Sequence, residues 1–339
     1  MWRNLTDSKH YENGVFVNTS PTPVMLPGLS FSKVWKDYIN RPKSVVPPNP
    51  LPTIKTDLKT IDSLSYNAPV VVWFGHSSYL IAYKGLKILV DPVFSDHASP
   101  IPGFFKAFPG TTIFASDDLP VIDFLILSHN HYDHLDKDTL NRLQSRSKKI
   151  FVPLGAGKDI QACGIDTRKI TVQELDWGES EVLNPGLRLT ATLARHFSGR
   201  GLKRNGSLWN SYVLELETFK LFLGGDSGFD THFKEIGDKE GPFDLAILEC
   251  GQYGPSWPFI HTTPEETLAA ARDLKAKVLL PVHWAKFALS NHPWDEPIKR
   301  LLQEAQNQDD SPNVTTPLIG EALIVDSKCP ASRWWERVL

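Results

Sequence analysis

Short apolar runs separated by glycine and polar residues follow one another from residue 68 to the end of the chain. The runs at 70–74, 79–83 and 87–90 are rich in β-branched and aromatic residues, and only short polar stretches separate them. This spacing predicts an antiparallel meander. Further runs of the same kind predict strands at 124–127, 149–152, 187–194, 211–216, 220–223, 245–248 and 278–282.

Longer amphipathic segments between these runs predict helices. They cover residues 137–145, 264–275 and 294–306. Thr263 is a suitable N-cap for the second of them, with Glu265 and Glu266 in its first turn. Two sheet-rich halves, each with its own helices, predict an α/β protein with a four-layer αββα sandwich.

The first part of the chain has a different character. Residues 1–66 are rich in proline and show little periodicity, apart from a short amphipathic helix predicted at 30–39. We expect 1–66 to be an N-terminal extension and 67–339 to be a single domain, because no linker-like stretch interrupts the latter. Residues 1–60 carry eight Lys and Arg against four Asp and Glu. Such an arm either wraps the edge of the domain or contacts an anionic membrane surface.

Composition narrows the classes of function. Hydrophobic residues make up 41% of the chain, which allows a large core, and the net charge of −3 gives no general attraction to nucleic acid. The three cysteines form no CxxC pair, so they predict neither a zinc knuckle nor a disulfide framework. The sequence shows no signal peptide or membrane-spanning run, so we expect a cytoplasmic protein with at most peripheral membrane contact.

One short segment concentrates metal-ligand chemistry. The run Ser128-His-Asn-His-Tyr-Asp-His-Leu-Asp136 places His129, His131, Asp133 and His134 directly after an apolar strand. Imidazole nitrogens and carboxylate oxygens are the donors that zinc accepts in hydrolytic sites. A catalytic zinc needs three protein ligands and one open position, so four adjacent donors are better shared between two metal ions.

Three more donors follow predicted strands later in the chain. They are His196, His283 and Asp226, the last within Gly224-Gly-Asp-Ser-Gly228, where glycine allows a sharp turn. A single histidine is usually an ordinary core or surface residue. Seven donors at strand ends instead predict a two-metal centre, with zinc favoured and iron, manganese, cobalt or nickel also compatible.

The pattern resembles the metallo-β-lactamase superfamily, in the branch of the phospholipase D that hydrolyses N-acyl-phosphatidylethanolamine and its bacterial relatives. The motifs that carry the resemblance are Gly75-His-Ser-Ser-Tyr79, Val90-Asp-Pro-Val-Phe-Ser95, the 128–136 run, Ser207-Leu-Trp209, His261 before Pro264, and His283-Trp284. The resemblance implies that His129, His131 and His196 bind one metal. It implies that Asp133, His134 and His283 bind the other, and that Asp226 bridges the two.

The resemblance also implies roles for residues outside the ligand set. Asp91 and His76 would support the ligands, although a strand-end turn or a turn cap explains each of them equally simply. His261 would lie beside the substrate phosphate and protonate the leaving group, unless it is simply a loop residue before a helix. Tyr253 lies in the same loop and could line an acyl or head-group pocket, although ordinary packing explains it as well. Arg200 could meet a phosphate or be a solvated loop charge.

The reaction that this implies is hydrolysis of N-acyl-phosphatidylethanolamine to N-acylethanolamine and phosphatidic acid. Asp133 or Asp226 would orient the nucleophilic water. Two alternatives stay open at this point. One is a metal-dependent hydrolase of a small phosphodiester or a lactone. The other is a non-catalytic protein that binds metal for structure only.

Overall fold

A computed structural model describes residues 2–28, 30, 36–37, 39–101, 103–201 and 203–338. The helix predicted at 30–39 falls mainly outside these residues. The strands are β1 Tyr11–Glu12, β2 Val15–Phe16, β3 Val70–Trp73, β4 Tyr79–Tyr83, β5 Leu86–Val90, β6 Ile122–Ile126, β7 Ser147–Pro153, β8 Thr171–Leu175, β9 Ser180–Asn184, β10 Leu187–Thr192, β11 Ser211–Leu216, β12 Phe219–Leu223, β13 Phe243–Glu249, β14 Ala276–Val282, β15 Asn313–Val314 and β16 Ala322–Ile324. The α-helices are α1 Lys137–Leu143, α2 Gly157–Ala162, α3 His232–Lys239, α4 Pro264–Asp273 and α5 Glu296–Gln306.

Two seven-stranded mixed sheets contain nearly all of these strands. The first has the order β16-β3-β4-β5-β6-β7-β8, and the second has the order β15-β14-β13-β12-β11-β10-β9. In each sheet one side is antiparallel and the other is parallel, with the change at β5 in the first sheet and at β12 in the second. The antiparallel pairing of β3, β4 and β5 confirms the predicted meander.

Alternating side chains on the strands build the layers. On β4, Tyr79, Ile81 and Tyr83 join the core that includes β11 of the second sheet. Leu80 and Ala82 point to the opposite face and join the core that includes residues of α1 and α2. Both faces of the strand are therefore buried, as expected for a sheet between a helix layer and another sheet. The four-layer αββα sandwich predicted from the sequence is confirmed.

The N-terminal residues pack on the sandwich. Phe16 is fully buried in a small core with Leu154 and Trp209. The Leu26 amide donates to the carbonyl of Ser256 at 3.0 Å. These contacts support our proposal that residues 1–66 form an extension packed on a single domain. Within the described residues, no helix combines the length and apolar character required to cross a bilayer.

The sequence prediction missed several elements at the sheet edges and between strands. β9 and β8 have partly exposed side chains, and β15 and β16 have only two and three residues. β16 is paired with β3, which lies about 250 residues earlier in the chain. Short runs of this kind carry too little periodicity to be recognised, because tertiary pairing rather than local pattern makes them strands.

Lys286 is a fully buried lysine in the loop after β14. Its ammonium donates to the carbonyls of Val93 at 2.7 Å and Phe74 at 3.3 Å. Burial lowers the pKa of Lys286 from 10.5 to about 8, partly opposed by Asp136. Between these two values the unfolded chain binds the proton and the folded chain releases it, so stability rises with pH in that interval.

We therefore expect the unfolding free energy of the wild type to rise, relative to that of Lys286→Met, by up to about 3 kcal/mol from pH 8 to 10.5. Chemical denaturation at a series of pH values measures the difference between the two proteins. Lys158→Met removes an exposed lysine of α2 and serves as the surface control. Parallel pH curves for the wild type and Lys286→Met would show that the buried amine keeps an ordinary pKa.

Candidate metal centre

The predicted donors meet at one edge of the sandwich because their strands end there. β12, β13 and β14 are parallel neighbours, so Asp226 and His283 follow strand ends at the same edge. Gly225 has a φ of 59°, and a Cβ at this position would lie 2.7 Å from the Cβ of Ser128. Glycine therefore allows the Asp226 turn of one sheet to approach the 128–136 loop of the other.

Three imidazoles form the first group of donors. The Nε2 of His129 lies 2.8 Å from the Nδ1 of His131, and the Nε2 of His196 lies 3.2 Å from the same atom. Ligand nitrogens at the corners of a tetrahedron around zinc are about 3.3 Å apart. All three side chains are buried or nearly so. The group has the donor types and spacing of a three-histidine metal site.

Carboxylate and imidazole donors form the second group. The Oδ2 of Asp133 lies 3.4 Å from the Nε2 of His283 and 3.6 Å from the Nε2 of His134. His76 lies beside them and its Nε2 is 2.9 Å from the same oxygen. Because a carboxylate only accepts, His76 donates to Asp133 and supports it rather than competing for the same position.

Asp226 lies between the two groups. Its Oδ2 is 3.2 Å from the Nε2 of His134 and 3.3 Å from that of His283. The same oxygen is 3.8 Å from the Nε2 atoms of His129 and His196. Within the part of the chain that the structure describes, the buried Oδ1 of Asp226 and Nε2 of His134 have no hydrogen-bond partner. Unpaired buried atoms aimed at one point fit cations held between these side chains.

Acceptors behind three of the histidines fix their ring orientation. The Nδ1 of His134 donates to Asp91 at 2.8 Å, and the Nδ1 of His196 donates to the carbonyl of Ile260 at 2.8 Å. The Nδ1 of His283 donates to Glu249 at 3.0 Å. Because Nδ1 faces these acceptors, each Nε2 faces the cluster, which is the usual support for a metal-bound imidazole.

The two groups differ in their electrostatics. Burial lowers the pKa of His131 to about 4 and holds that of His129 well below its usual range, so these rings are neutral. Burial also opposes protonation of His283 and His134, but nearby carboxylates dominate. Asp226 and Asp133 raise the pKa of His283 to about 10 and that of His134 well above its usual range. The carboxylate-rich group therefore attracts positive charge, as a cation site requires.

Backbone strain is concentrated at this site. His76, Asp91 and His283 have φ values of 53°, 40° and 66°, in the left-handed region that residues with a Cβ rarely adopt. Each such residue costs on the order of 1–3 kcal/mol and persists only where surrounding contacts hold it. The strained residues therefore lie in the loops that position the metal donors.

His261 lies beside both groups without belonging to either one. Its ring centroid is 5.1 Å from those of His196 and His283. Its Nδ1 donates to Glu249 at 2.6 Å, so Nε2 is the ring nitrogen that can exchange a proton with a bound group. The side chain is only slightly exposed. This position suits proton transfer to a group bound above the cluster.

Tyr253 and Arg200, two further candidates from the sequence, make their contacts outside the two donor groups. The Tyr253 hydroxyl donates to Glu296 at 2.6 Å, and its ring stacks on His292, so it is turned toward α5. The Arg200 guanidinium donates to the carbonyls of Asn130 and Leu135 and lies over the ring of Tyr132. Arg200 therefore stabilises the 128–136 loop. The sequence suggested either a phosphate contact or a solvated loop charge for Arg200, and the contacts in the structure are of neither kind.

Sequence reasoning overlooked two residues that support the site. The amide of Asn18 donates to the carbonyl of His196 at 2.7 Å and accepts from its N–H at 3.2 Å. Glu249 ends β13 and contacts both His261 and His283. Glu249 follows the apolar run 245–248 directly. An acidic residue at the end of such a run is the sequence signal that could have identified it.

Comparison with known proteins identifies the family. The model of the β-lactamase superfamily domain matches residues 87–284. The chain belongs to the metallo-β-lactamase superfamily. An uncharacterized protein of Mycobacterium tuberculosis is 36% identical over 336 residues, which cover 97% of this chain and 87% of that protein.

This chain is also similar to a relative whose name states an activity. The N-acyl-phosphatidylethanolamine-hydrolyzing phospholipase D 1 of Caenorhabditis elegans is 35% identical over 267 residues, which cover 73% of each chain. The solved structure of a metallo hydrolase from Ignicoccus hospitalis has a TM-score of 0.56 at 18% identity, covering 77% of this chain and all of that one. The chain is thus a metal-dependent hydrolase of this superfamily, and its metallo-β-lactamase fold agrees with the sequence prediction.

Proposed function

We propose that the protein is a phosphodiesterase of the phospholipase D type that cleaves N-acyl-phosphatidylethanolamine. The observation that carries this proposal is a cavity of about 270 Å³ that combines the metal donors with an apolar wall. The donors on its floor include His131, Asp133 and Asp226. A phosphodiester flanked by hydrocarbon chains has the same combination of anionic and apolar parts.

The apolar wall comes from separate parts of the chain. Val24 and Met25 of the N-terminal extension face the cavity together with Trp257 and Leu289. The extension is held in place by the hydrogen bond from Leu26 to Ser256, next to Trp257. The cavity is open to solvent on one side, so an acyl chain can extend outward along this wall. Peripheral contact with a membrane follows if the lipid is withdrawn from a bilayer.

Two divalent ions, which we propose to be zinc, would be held by the two groups with Asp226 shared between them. When bound, they supply Lewis-acid activation of water and offset negative charge on the phosphoryl oxygens. The donor set fits this role because imidazole and carboxylate are zinc ligands. His131 and His196 of the three-histidine group line the cavity, so a substrate bound there could reach a metal ion held by this group.

The side chains of the protein supply the remaining steps. Asp133 and Asp226 accept hydrogen bonds from the attacking water and orient it toward phosphorus. As the new P–O bond forms, the bond between phosphorus and the ethanolamine oxygen breaks. The attacking water releases one of its protons to solvent through the open side of the cavity. His261, which carries protons on both Nδ1 and Nε2 at this stage, gives the Nε2 proton to the leaving oxygen while Glu249 accepts the hydrogen bond from Nδ1. The products are N-acylethanolamine and phosphatidic acid.

One observation favours a second candidate function. A cavity of about 270 Å³ lies just below the usual range for ligand sites, which suits a small phosphodiester or lactone. Such a substrate would make little use of the apolar wall formed by Met25 and Trp257. The two candidates therefore differ in how strongly turnover depends on that wall.

The test compares a lipid and a small substrate on the zinc-loaded protein. We expect release of N-acylethanolamine from N-acyl-phosphatidylethanolamine in mixed micelles, and slower hydrolysis of bis(p-nitrophenyl) phosphate. Met25→Glu places a charge on the wall and should lower kcat/KM for the lipid by about 10-fold or more, with the small substrate unaffected.

Val182→Glu changes an exposed apolar residue of β9 and is the matched control. Turnover of the small substrate alone, with no effect of Met25→Glu, would favour the second candidate. Absence of turnover of either substrate by protein that holds two zinc ions would contradict both the phospholipase D proposal and the small-phosphodiester alternative.

A further inference from the structure

Glu249 is a buried carboxylate whose only role in the proposed reaction is to support His261. It is the last residue of β13, and only 3% of its surface is exposed. In the sheet it pairs with Val282 of the parallel strand β14, directly before His283. This register places the carboxylate behind the ligand histidine without any need for a flexible loop.

The two oxygens of Glu249 contact three different segments. Oε2 accepts from the Nδ1 of His283 at 3.0 Å and from the Nδ1 of His261 at 2.6 Å. Oε1 accepts from the backbone N–H of Ser227 at 2.7 Å, next to Asp226. One side chain therefore holds the ends of β12 and β14 and the loop that carries His261. Every one of these contacts to the side chain comes from a donor, which suits the two acceptor oxygens of a carboxylate.

We propose that Glu249 is a positioning residue for one of the two metals. It fixes the ring of His283 so that Nε2 points at Asp133 and Asp226. Through Ser227 it also fixes the turn of Asp226, whose Oδ2 lies closer to the imidazoles of this group, at 3.2 and 3.3 Å, than to those of the other, at 3.8 Å. The inference rests on the proposed two-metal site but is independent of the substrate. The group of His129, His131 and His196 has other supports, including the Ile260 carbonyl behind His196.

The hydrogen-bond geometry predicts what glutamine does at this position. A glutamine side chain has one acceptor oxygen and one NH₂ donor in place of two acceptor oxygens. If its oxygen faces the imidazoles, its NH₂ faces the N–H of Ser227. If it is reversed, its NH₂ faces two imidazole N–H groups and favours the tautomer of His283 that carries a proton on Nε2. Each orientation disturbs the support of the second metal group.

The experiment measures zinc binding by the full-length protein at graded concentrations of a competing chelator. We expect Glu249→Gln to weaken one of two bound zinc ions by about 10–100-fold and to leave the other within about twofold of the wild type. In the cobalt-substituted protein, the visible absorption of one cobalt equivalent should change. If Glu249→Gln does not fold, Glu249→Asp replaces it. Aspartate keeps the carboxylate but moves it back by one methylene, so the binding of the two zinc ions can be compared with the wild type in the same way.

Glu174→Gln is the matched control. Glu174 is also buried, and it accepts the N–H groups of Gly155 and Gly157, neither of which is a metal donor. Unchanged binding of both zinc ions in the Glu249 variants would overturn the inference. Equal weakening of both ions, with the loss of stability that Glu174→Gln also shows, would overturn it too. A wild type that binds fewer than two ions would instead contradict the proposed site itself.

Discussion

Replacing Asp226 with asparagine is expected to lower turnover by roughly 1,000-fold and to reduce bound zinc from two ions to at most one. The Oδ2 of Asp226 lies within 3.8 Å of four imidazole nitrogens, two from each donor group. Asparagine keeps the shape but removes the charge shared between the groups. Elemental analysis of dialysed protein and steady-state kinetics on the same sample measure the two effects.

A second buried aspartate provides the control for this prediction. Asp244 at the start of β13 accepts the N–H of Lys220 at 2.8 Å and pairs with Lys277 at 2.7 Å. Asp244→Asn should leave both zinc ions and turnover near wild-type values, even if it lowers stability. Two retained zinc ions in Asp226→Asn would show that this carboxylate does not bridge the groups.

His261→Gln is expected to lower kcat by about 100-fold or more while both zinc ions remain bound. The Nδ1 proton of His261 is held by Glu249, so its Nε2 is the atom available to a leaving group in the cavity. Glutamine retains the polarity at this position but cannot donate a proton to an alkoxide. A fall in kcat with little change in KM would locate the effect in the transition state.

The control for His261 is another histidine paired with a carboxylate. His97 lies 2.8 Å from Asp96 near the surface, and we expect His97→Gln to behave as the wild type. Loss of zinc from His261→Gln would give a different result. It would mean that His261 is itself a ligand, which the close approach of its nitrogen to donors of Asp226, Glu249 and His283 permits.

The donors could be predicted from the sequence because each one follows an apolar run. The 128–136 segment is local, so three histidines and a carboxylate are visible as one motif. His196, Asp226 and His283 are distant in sequence, but the parallel or matching direction of their strands brings strand ends to one edge. The direction of the strands therefore determines that donors at separate strand ends lie together in one site.

The supports behind the donors could not be predicted in the same way. Glu249 reads as the end of an apolar strand, and only the register of β13 with β14 shows that it lies behind His283. Asn18 holds the main chain of His196 from 178 residues away. The positive φ values of His76, Asp91 and His283 also depend on tertiary contacts. Arg200 shows the same limit, since its partners are carbonyls that carry no sequence signal.

The central claim is that two metal ions share Asp226 between the two donor groups. Anomalous X-ray diffraction at the zinc edge, on crystals of the zinc-loaded protein, tests it most directly. We expect two anomalous peaks, one among His129, His131 and His196 and one among Asp133, His134 and His283, with Asp226 contacting both. A single peak, or a peak held by Glu249 and His261, would contradict it.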